Sequence, residues 1–267
     1  MIKPGFSPVF VLFGGVFVPN SQTIRIVPGA KTAVLMIHGI CGTPNHFRAL
    51  LPLEAAVPAD WSLYNIVLDG HCADVPAFGK SSMKKWKAQT EKLFDTLCDT
   101  YENIVLVGHS MGTLLSVRQA LRRPDKVKLL FMVAAPTPPF VRLSAASYAV
   151  GLAFGVKNEK AHVYGAMGIA CGMRLTPMLW RYIPWIPRMI ELLTECRAIS
   201  KLYKDLQVPT IAWQSEKDEL VARRSIKVLQ KCGKVEVHTL PNSTHFYYTQ
   251  EEREKVLESF REACKMI

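Results

Sequence analysis

The stretch Gly108-His109-Ser110-Met111-Gly112 lies between an apolar run, Ile104-Val105-Leu106-Val107, and a helical pattern, Leu114-Leu115-Ser116-Val117-Arg118-Gln119-Ala120-Leu121. A serine framed by glycines at a strand-to-helix turn reads as a nucleophile elbow. Such a turn strains the serine backbone, and glycine two residues to either side lets strand and helix approach closely. The helix N-terminus behind Ser110 favours the negative charge that develops during acyl transfer. The plain alternative is an ordinary β–α turn with a capping serine, and it holds only if no partner residues follow.

Partner residues follow in the required order. A serine hydroxyl needs a general base, and the base needs an orienting acid. On an elbow of this kind the acid precedes the base in the chain. Downstream, the apolar strand Thr210-Ile211-Ala212-Trp213 runs into Gln214-Ser215-Glu216-Lys217-Asp218-Glu219. An alternating strand, Lys234 to Leu240, then leads into Pro241-Asn242-Ser243-Thr244-His245. Asp218 and His245 each fall just past a strand's C-terminal end, the edge of an open α/β sheet where ligands bind. They are the expected acid and base, with Glu216 and Glu219 as rival carboxylates.

Acyl transfer also needs two backbone N–H donors aimed at the oxyanion. Met111, directly after the serine, supplies one; a loop after an early strand supplies the other. That loop is His38-Gly39-Ile40-Cys41-Gly42, after the buried run Val34-Leu35-Met36-Ile37, and Ile40 is the expected donor. Thr43-Pro44 reads as an N-cap followed by proline at the first helical position, opening a helix through Leu51. The remaining histidines have quieter readings. His46 is a surface or packing residue, His109 packs under the elbow, His238 packs mid-strand, and His162 could line a pocket.

These motifs together resemble the α/β-hydrolase superfamily, and within it the chain is similar to bacterial carboxylesterases and monoacylglycerol lipases. The resemblance is carried by His38-Gly39-Ile40-Cys41-Gly42, Asp69-Gly70-His71, Gly108-His109-Ser110-Met111-Gly112, Glu216-Lys217-Asp218 with Val221, and Ser243-Thr244-His245. It spans roughly Lys31 to Ala135 and Val208 to Lys265. Two departures stand out: Cys72 where the third motif usually continues with glycine, and Thr113 where the elbow often has a second glycine. The resemblance implies a serine hydrolase that cleaves carboxylic esters with apolar acyl chains through an acyl-enzyme, needing no cofactor. A thioesterase, amidase or C–C bond hydrolase would use the same residues, and a non-catalytic ligand receptor is the other class of reading.

Strands alternate with helices through most of the 267 residues, which predicts an α/β fold: one doubly wound, mostly parallel sheet. From 137 to 205 the rhythm breaks, and this stretch is expected to be a helical cap inserted into a core of 1–136 and 206–267. The cap is rich in large apolar residues (Tyr148, Phe154, Tyr164, Met167, Met173, Trp180, Tyr182, Trp185), which suits a water-excluding acyl pocket over Ser110. Thr249-Gln250-Glu251-Glu252 reads as a capping box opening the final helix.

Seven scattered cysteines without C-x-x-C pairing or metal-ligand spacing predict reduced thiols, no metal and a cytoplasmic setting. Cys41 and Cys72 fall near the expected site, where thiol reagents could inhibit. The apolar stretch Phe6 to Val18 is too short to span a bilayer and reads as a lead-in strand or hairpin with Thr23 to Val27, or as an interfacial anchor. The formal net charge is +11, and the cap alone carries nine basic residues against four acidic ones. That balance suits an anionic membrane surface or an acidic substrate. No nucleic-acid-binding motif accompanies the charge, so no nucleic-acid partner is expected. A monomer or homodimer is expected.

Overall fold

The computed structural model describes residues 21–137, 161–174, 176 and 178–267. Within them a seven-stranded sheet runs in the order β1-β3-β2-β4-β5-β6-β7. The strands are β1 (Thr23–Arg25), β2 (Thr32–Ile37), β3 (Ser62–Ile66), β4 (Asn103–His109), β5 (Val127–Val133), β6 (Thr210–Ser215) and β7 (Val235–Leu240). Only β1 pairs antiparallel, along the edge of β3; every other pairing is parallel. The doubly wound, mostly parallel sheet expected from the alternating pattern is therefore present. Phe6 to Val18, the other half of the expected hairpin, lies outside the described residues.

The unbroken apolar runs have a simple cause. All six residues of β2 are buried, because both faces of a parallel sheet are covered by helices. Successive side chains point to opposite faces. Ala33, Leu35, Ile37, Ile104 and Leu106 join one core, with Trp86, Phe94 and Leu97 of α2 (Met83–Thr100) and Leu114, Leu115 and Val117 of α3 (Met111–Arg122). Val34, Met36, Val105 and Val107 join the other, with Phe47, Leu51 and Phe260. A short helix, α1 (Val75–Gly79), precedes α2.

The inserted stretch contributes α4 (Ala161–Ala170) and α5 (Trp185–Ser200), and α6 (Arg224–Gln230) and α7 (Gln250–Lys265) complete the core. The segment after α4 returns to the core beside β3's loop, where Arg174 N–H donates to Ala73 O at 3.0 Å. Of the expected pocket residues, Met167 and Met173 are buried, whereas Trp180 is 66% exposed and faces solvent. Composition gives a cap its greasiness but not the direction of any one side chain. Tyr148 and Phe154, and the side chains of Tyr164 and His162, lie outside the described residues.

Two local expectations are corrected. The helix expected through Leu51 is present as a single wide turn over His46–Leu50, but its cap is Asn45 and not Thr43, whose hydroxyl accepts from Asn45 N–H at 3.2 Å. The threonine closes a small side-chain turn, and the helix starts two residues later than Pro44. At the start of α7, Thr249 does accept from Glu252 N–H, but Glu252 does not reach back to complete the box. Its carboxylate turns to the loop before His245, accepting from Asn242 N–H at 2.8 Å and from the Ser243 hydroxyl.

Candidate active site

The elbow is as tight as its sequence demands. Ser110 sits at φ 53° and ψ −121°, a conformation costly for any residue with a side chain. A Cβ on Gly112 would fall 1.8 Å from Ile37 O, and one on Gly108 would fall 2.7 Å from Thr113 N and Cα. No side chain fits at either position, so glycine is required there by close approach. Thr113, the departure from the family pattern, donates its hydroxyl to Ser110 O at 2.7 Å and ties the turn from inside. Cys72, the other departure, stands at φ 58°, so that position keeps the left-handed backbone usually given to glycine.

Asp218 and His245 meet although 27 residues separate them. His245 Nδ1 lies 2.8 Å from Asp218 Oδ2, and both side chains are 1% exposed. The second carboxylate oxygen, Oδ1, accepts from Leu220 N–H at 2.8 Å and Val221 N–H at 2.7 Å. Asp218 is thus oriented by backbone on one side and presents one oxygen to the imidazole. The rivals take other positions. Glu216 pairs with Arg223 near the surface. Glu219 is buried and accepts from His245 N–H at 3.0 Å, so it holds the histidine backbone and not the ring. Burial pushes the Glu219 carboxyl above its ordinary range. For His245, burial resists protonation, but Asp218 and then Glu219 outweigh it and the net shift is upward.

Three further residues position His245, and sequence reasoning did not assign them that work. His109 Nε2 lies 3.2 Å from His245 O, and Tyr248 donates its hydroxyl to the same carbonyl at 3.3 Å. His46 stacks on His109 with ring centroids 3.5 Å apart, and the His109 ring lies 4.7 Å from that of His245. His46 is 1% exposed, so it is a core residue beneath the site. Its contact with His109 spans 63 positions of the chain, with no local periodicity to reveal it. His238 stacks on Trp213 with centroids 4.4 Å apart, the packing role its strand position suggested.

The early loop presses on the elbow. A Cβ on Gly39 would lie 2.9 Å from Ser110 Cβ, which brings the backbone leading to Ile40 against the serine. His38 fixes this loop to its neighbour, with Nε2 accepting from Leu68 N–H at 3.1 Å. Met111 is buried as the first residue of α3. Ala166, Met167 and Ala170 of α4 form an apolar cluster with Phe246, whose ring lies edge-on to that of His245 with centroids 4.6 Å apart. Burial pushes the Cys72 thiol up to about 12 and raises that of Cys41 as well. Burial thus disfavours the thiolate at both positions. Among the described residues, no cluster of three His, Cys, Asp or Glu side chains could hold a metal ion, and no helix is long and apolar enough to cross a membrane.

The profile of the alpha/beta hydrolase family matches residues 34–258, and the chain belongs to that family. Its relatives include esterases and lipases. A pimeloyl-[acyl-carrier protein] methyl ester esterase of Neisseria meningitidis serogroup C is 32% identical over 130 residues, 48% of this chain and 45% of that protein. A thermostable monoacylglycerol lipase of a Bacillus species is 29% identical over 108 residues, 40% of this chain and 42% of that protein. The matches thus span less than half the length of either relative. Among solved structures, a metagenome-derived lipolytic enzyme superposes with a TM-score of 0.66 at 21% identity, covering 91% of this chain and 98% of the other. A soluble variant of monoglyceride lipase from Saccharomyces cerevisiae superposes with a TM-score of 0.64 at 12% identity, covering 92% of this chain and 91% of that one.

Proposed function

We propose that this protein is a serine hydrolase of carboxylic esters with apolar acyl chains. The observation that carries the reading is the buried Asp218–His245 pair at 2.8 Å, whose histidine packs against the residue preceding a strained, glycine-framed Ser110. With Nδ1–H directed to Asp218, the lone pair of His245 resides on Nε2, the nitrogen that receives a proton. Ser110 Oγ attacks the acyl carbonyl carbon as its proton passes to His245, and the Ile40 and Met111 N–H groups hold the oxyanion. Collapse breaks the acyl–oxygen bond; the alcohol leaves with the proton from His245. Water, deprotonated by the same histidine, then attacks the acyl-enzyme and releases the carboxylic acid and free Ser110. The 137–205 insertion acts as the cap, and the names of the two curated relatives support an ester as substrate.

Asp218→Asn is expected to lower turnover by about 10³- to 10⁴-fold with little change in KM, because the imidazole loses the partner that sets its tautomer. Steady-state kinetics beside Glu216→Gln decide between the two carboxylates: a larger loss in the glutamate variant would transfer the acid's role to it.

Substrate preference is tested with p-nitrophenyl esters of rising chain length. The cluster of Met167 and Phe246 beside His245 offers apolar surface to an acyl chain, and each buried methylene contributes roughly 0.8 kcal/mol. Medium chains should therefore exceed acetate in kcat/KM by about 10- to 1,000-fold. A profile that peaks at acetate would refute the acyl pocket while leaving the ester chemistry standing.

A further inference from the structure

The outer surface of the inserted stretch carries side chains that the fold itself leaves unburied. Leu179, Trp180, Ile183, Ile186 and Ile190 are between 58% and 66% exposed. From Trp180 onward they follow one another at three- and four-residue spacing, and the last two share a face of α5. The opposite face of α5 buries Glu195, Cys196 and Ile199 against the core. A contiguous row of exposed Leu, Trp and Ile is unusual for a surface meant only for water.

The charges on the same stretch are sorted by sign. Both carboxylates of α5 turn inward. Glu191 accepts from Arg188 and from Met83 N–H, and Glu195 pairs with Lys87 and Arg118. The cations that remain outside are Arg181, Arg197, Lys201 and Lys204, against Asp205 as the one exposed carboxylate among the described residues 178–205. Arg197 and Lys201 continue the row of Ile186 and Ile190 at helical spacing. The face is therefore apolar at one end and cationic at the other.

We propose that this face, from Leu179 through Ile190 to Lys201, docks the protein on the surface of an anionic lipid bilayer. Leu and Ile side chains would enter the headgroup–acyl boundary and Trp180 would sit at that interface, as amphipathic interfacial helices do. The exposed cations would meet the negative surface potential of the lipid. Charge complementarity selects a bilayer over a second copy of this chain. A copy would bring Arg197 and Lys201 against the same basic surface, and the overall charge of +11 opposes self-association. The proposal goes beyond the ester-hydrolase reading and uses none of its catalytic residues.

The test is co-sedimentation with vesicles of phosphatidylcholine alone and of phosphatidylcholine with about one-third phosphatidylglycerol. The full chain should bind the anionic vesicles at least about 10-fold more tightly, and rising salt should weaken binding as the Debye length shrinks. Leu179→Ser/Trp180→Ser/Ile183→Ser should lose about 10-fold or more of the binding to both lipids. Arg197→Glu/Lys201→Glu should lose the anionic preference alone. Hydrolysis of a soluble p-nitrophenyl ester should be unchanged in both variants, which separates this proposal from the catalytic one. Absence of vesicle binding, equal binding to both lipids, or a concentration-dependent dimer abolished by the triple substitution would each overturn it.

Discussion

Ser110→Ala is expected to abolish ester hydrolysis and labelling by a fluorophosphonate probe, with turnover falling about 10⁴- to 10⁶-fold. The loss is of this size because the residues of the proposed triad act as a unit. His245 without a hydroxyl to deprotonate has no nucleophile to offer, and Asp218 then orients an idle ring. Stability should change little. Ser110 is 8% exposed and alanine keeps the same backbone demand at φ 53°, so thermal melting should stay within about 0.5 kcal/mol of the parent, as for substitutions that leave core packing alone. Unchanged labelling, or labelling mapped by mass spectrometry to a different serine, would dismiss Ser110 as the nucleophile.

Acid should unfold the protein unusually early. Burial, aided by repulsion from neighbouring histidines, holds His46, His71 and His109 well below the ordinary 6.5. Burial likewise lowers His38 to about 4. In the unfolded chain all four bind protons as pH falls through about 6.5, while the folded protein leaves them neutral. Their stability is therefore complete above that pH and drains away below it, for His38 over the interval from 6.5 to about 4. Each such histidine steepens the fall by about 1.4 kcal/mol per pH unit once the unfolded chain is protonated and the folded one is not. His245 acts oppositely: its folded value is raised, so its contribution is full below the ordinary histidine value and fades as pH rises through the folded one. Stability should peak near neutrality, with a urea midpoint that drops sharply between about pH 6.5 and 5. A urea midpoint that stays flat across that interval would show that these imidazoles are hydrated or protonated in the native state.

The elbow was legible because its parts are contiguous. Strand, glycine, serine, glycine and helix occur within fewer than twenty residues, and each states a local steric need. The parallel sheet was legible for a similar reason, since β2 and β4 are apolar on both faces and announce double coverage. The proposed acid was only partly legible. Glu216, Asp218 and Glu219 crowd into four positions, and no periodicity says which carboxylate turns toward a histidine 27 residues on. Backbone bonds from Leu220 and Val221 decide it in the folded chain. The supports of His245 were illegible for two reasons: the His46–His109 stack joins distant parts of the chain, and the Tyr248 hydroxyl and the Glu252 carboxylate, though near in sequence, serve the loop through side-chain directions that no periodicity states. Orientation within the insertion was equally hidden, since Met167 and Trp180 look alike in composition and yet one is buried and the other bathed in solvent.

The anchoring of the His245 loop by Glu252 has a consequence for the order in which the polypeptide is made. Ser110 leaves the ribosome 135 residues ahead of His245, an interval of about 7 to 27 s at ordinary translation speed. Well before His245 emerges, β2, β4 and α3 are complete, so the elbow has its neighbours while Ser110 still lacks its proposed base. When His245 appears its loop still lacks one anchor, because the carboxylate that gathers Asn242 and Ser243 comes seven residues later, on the first turn of α7. Under the proposed mechanism the nascent chain therefore carries Ser110 in a dormant form until His245 and Glu252 have both emerged.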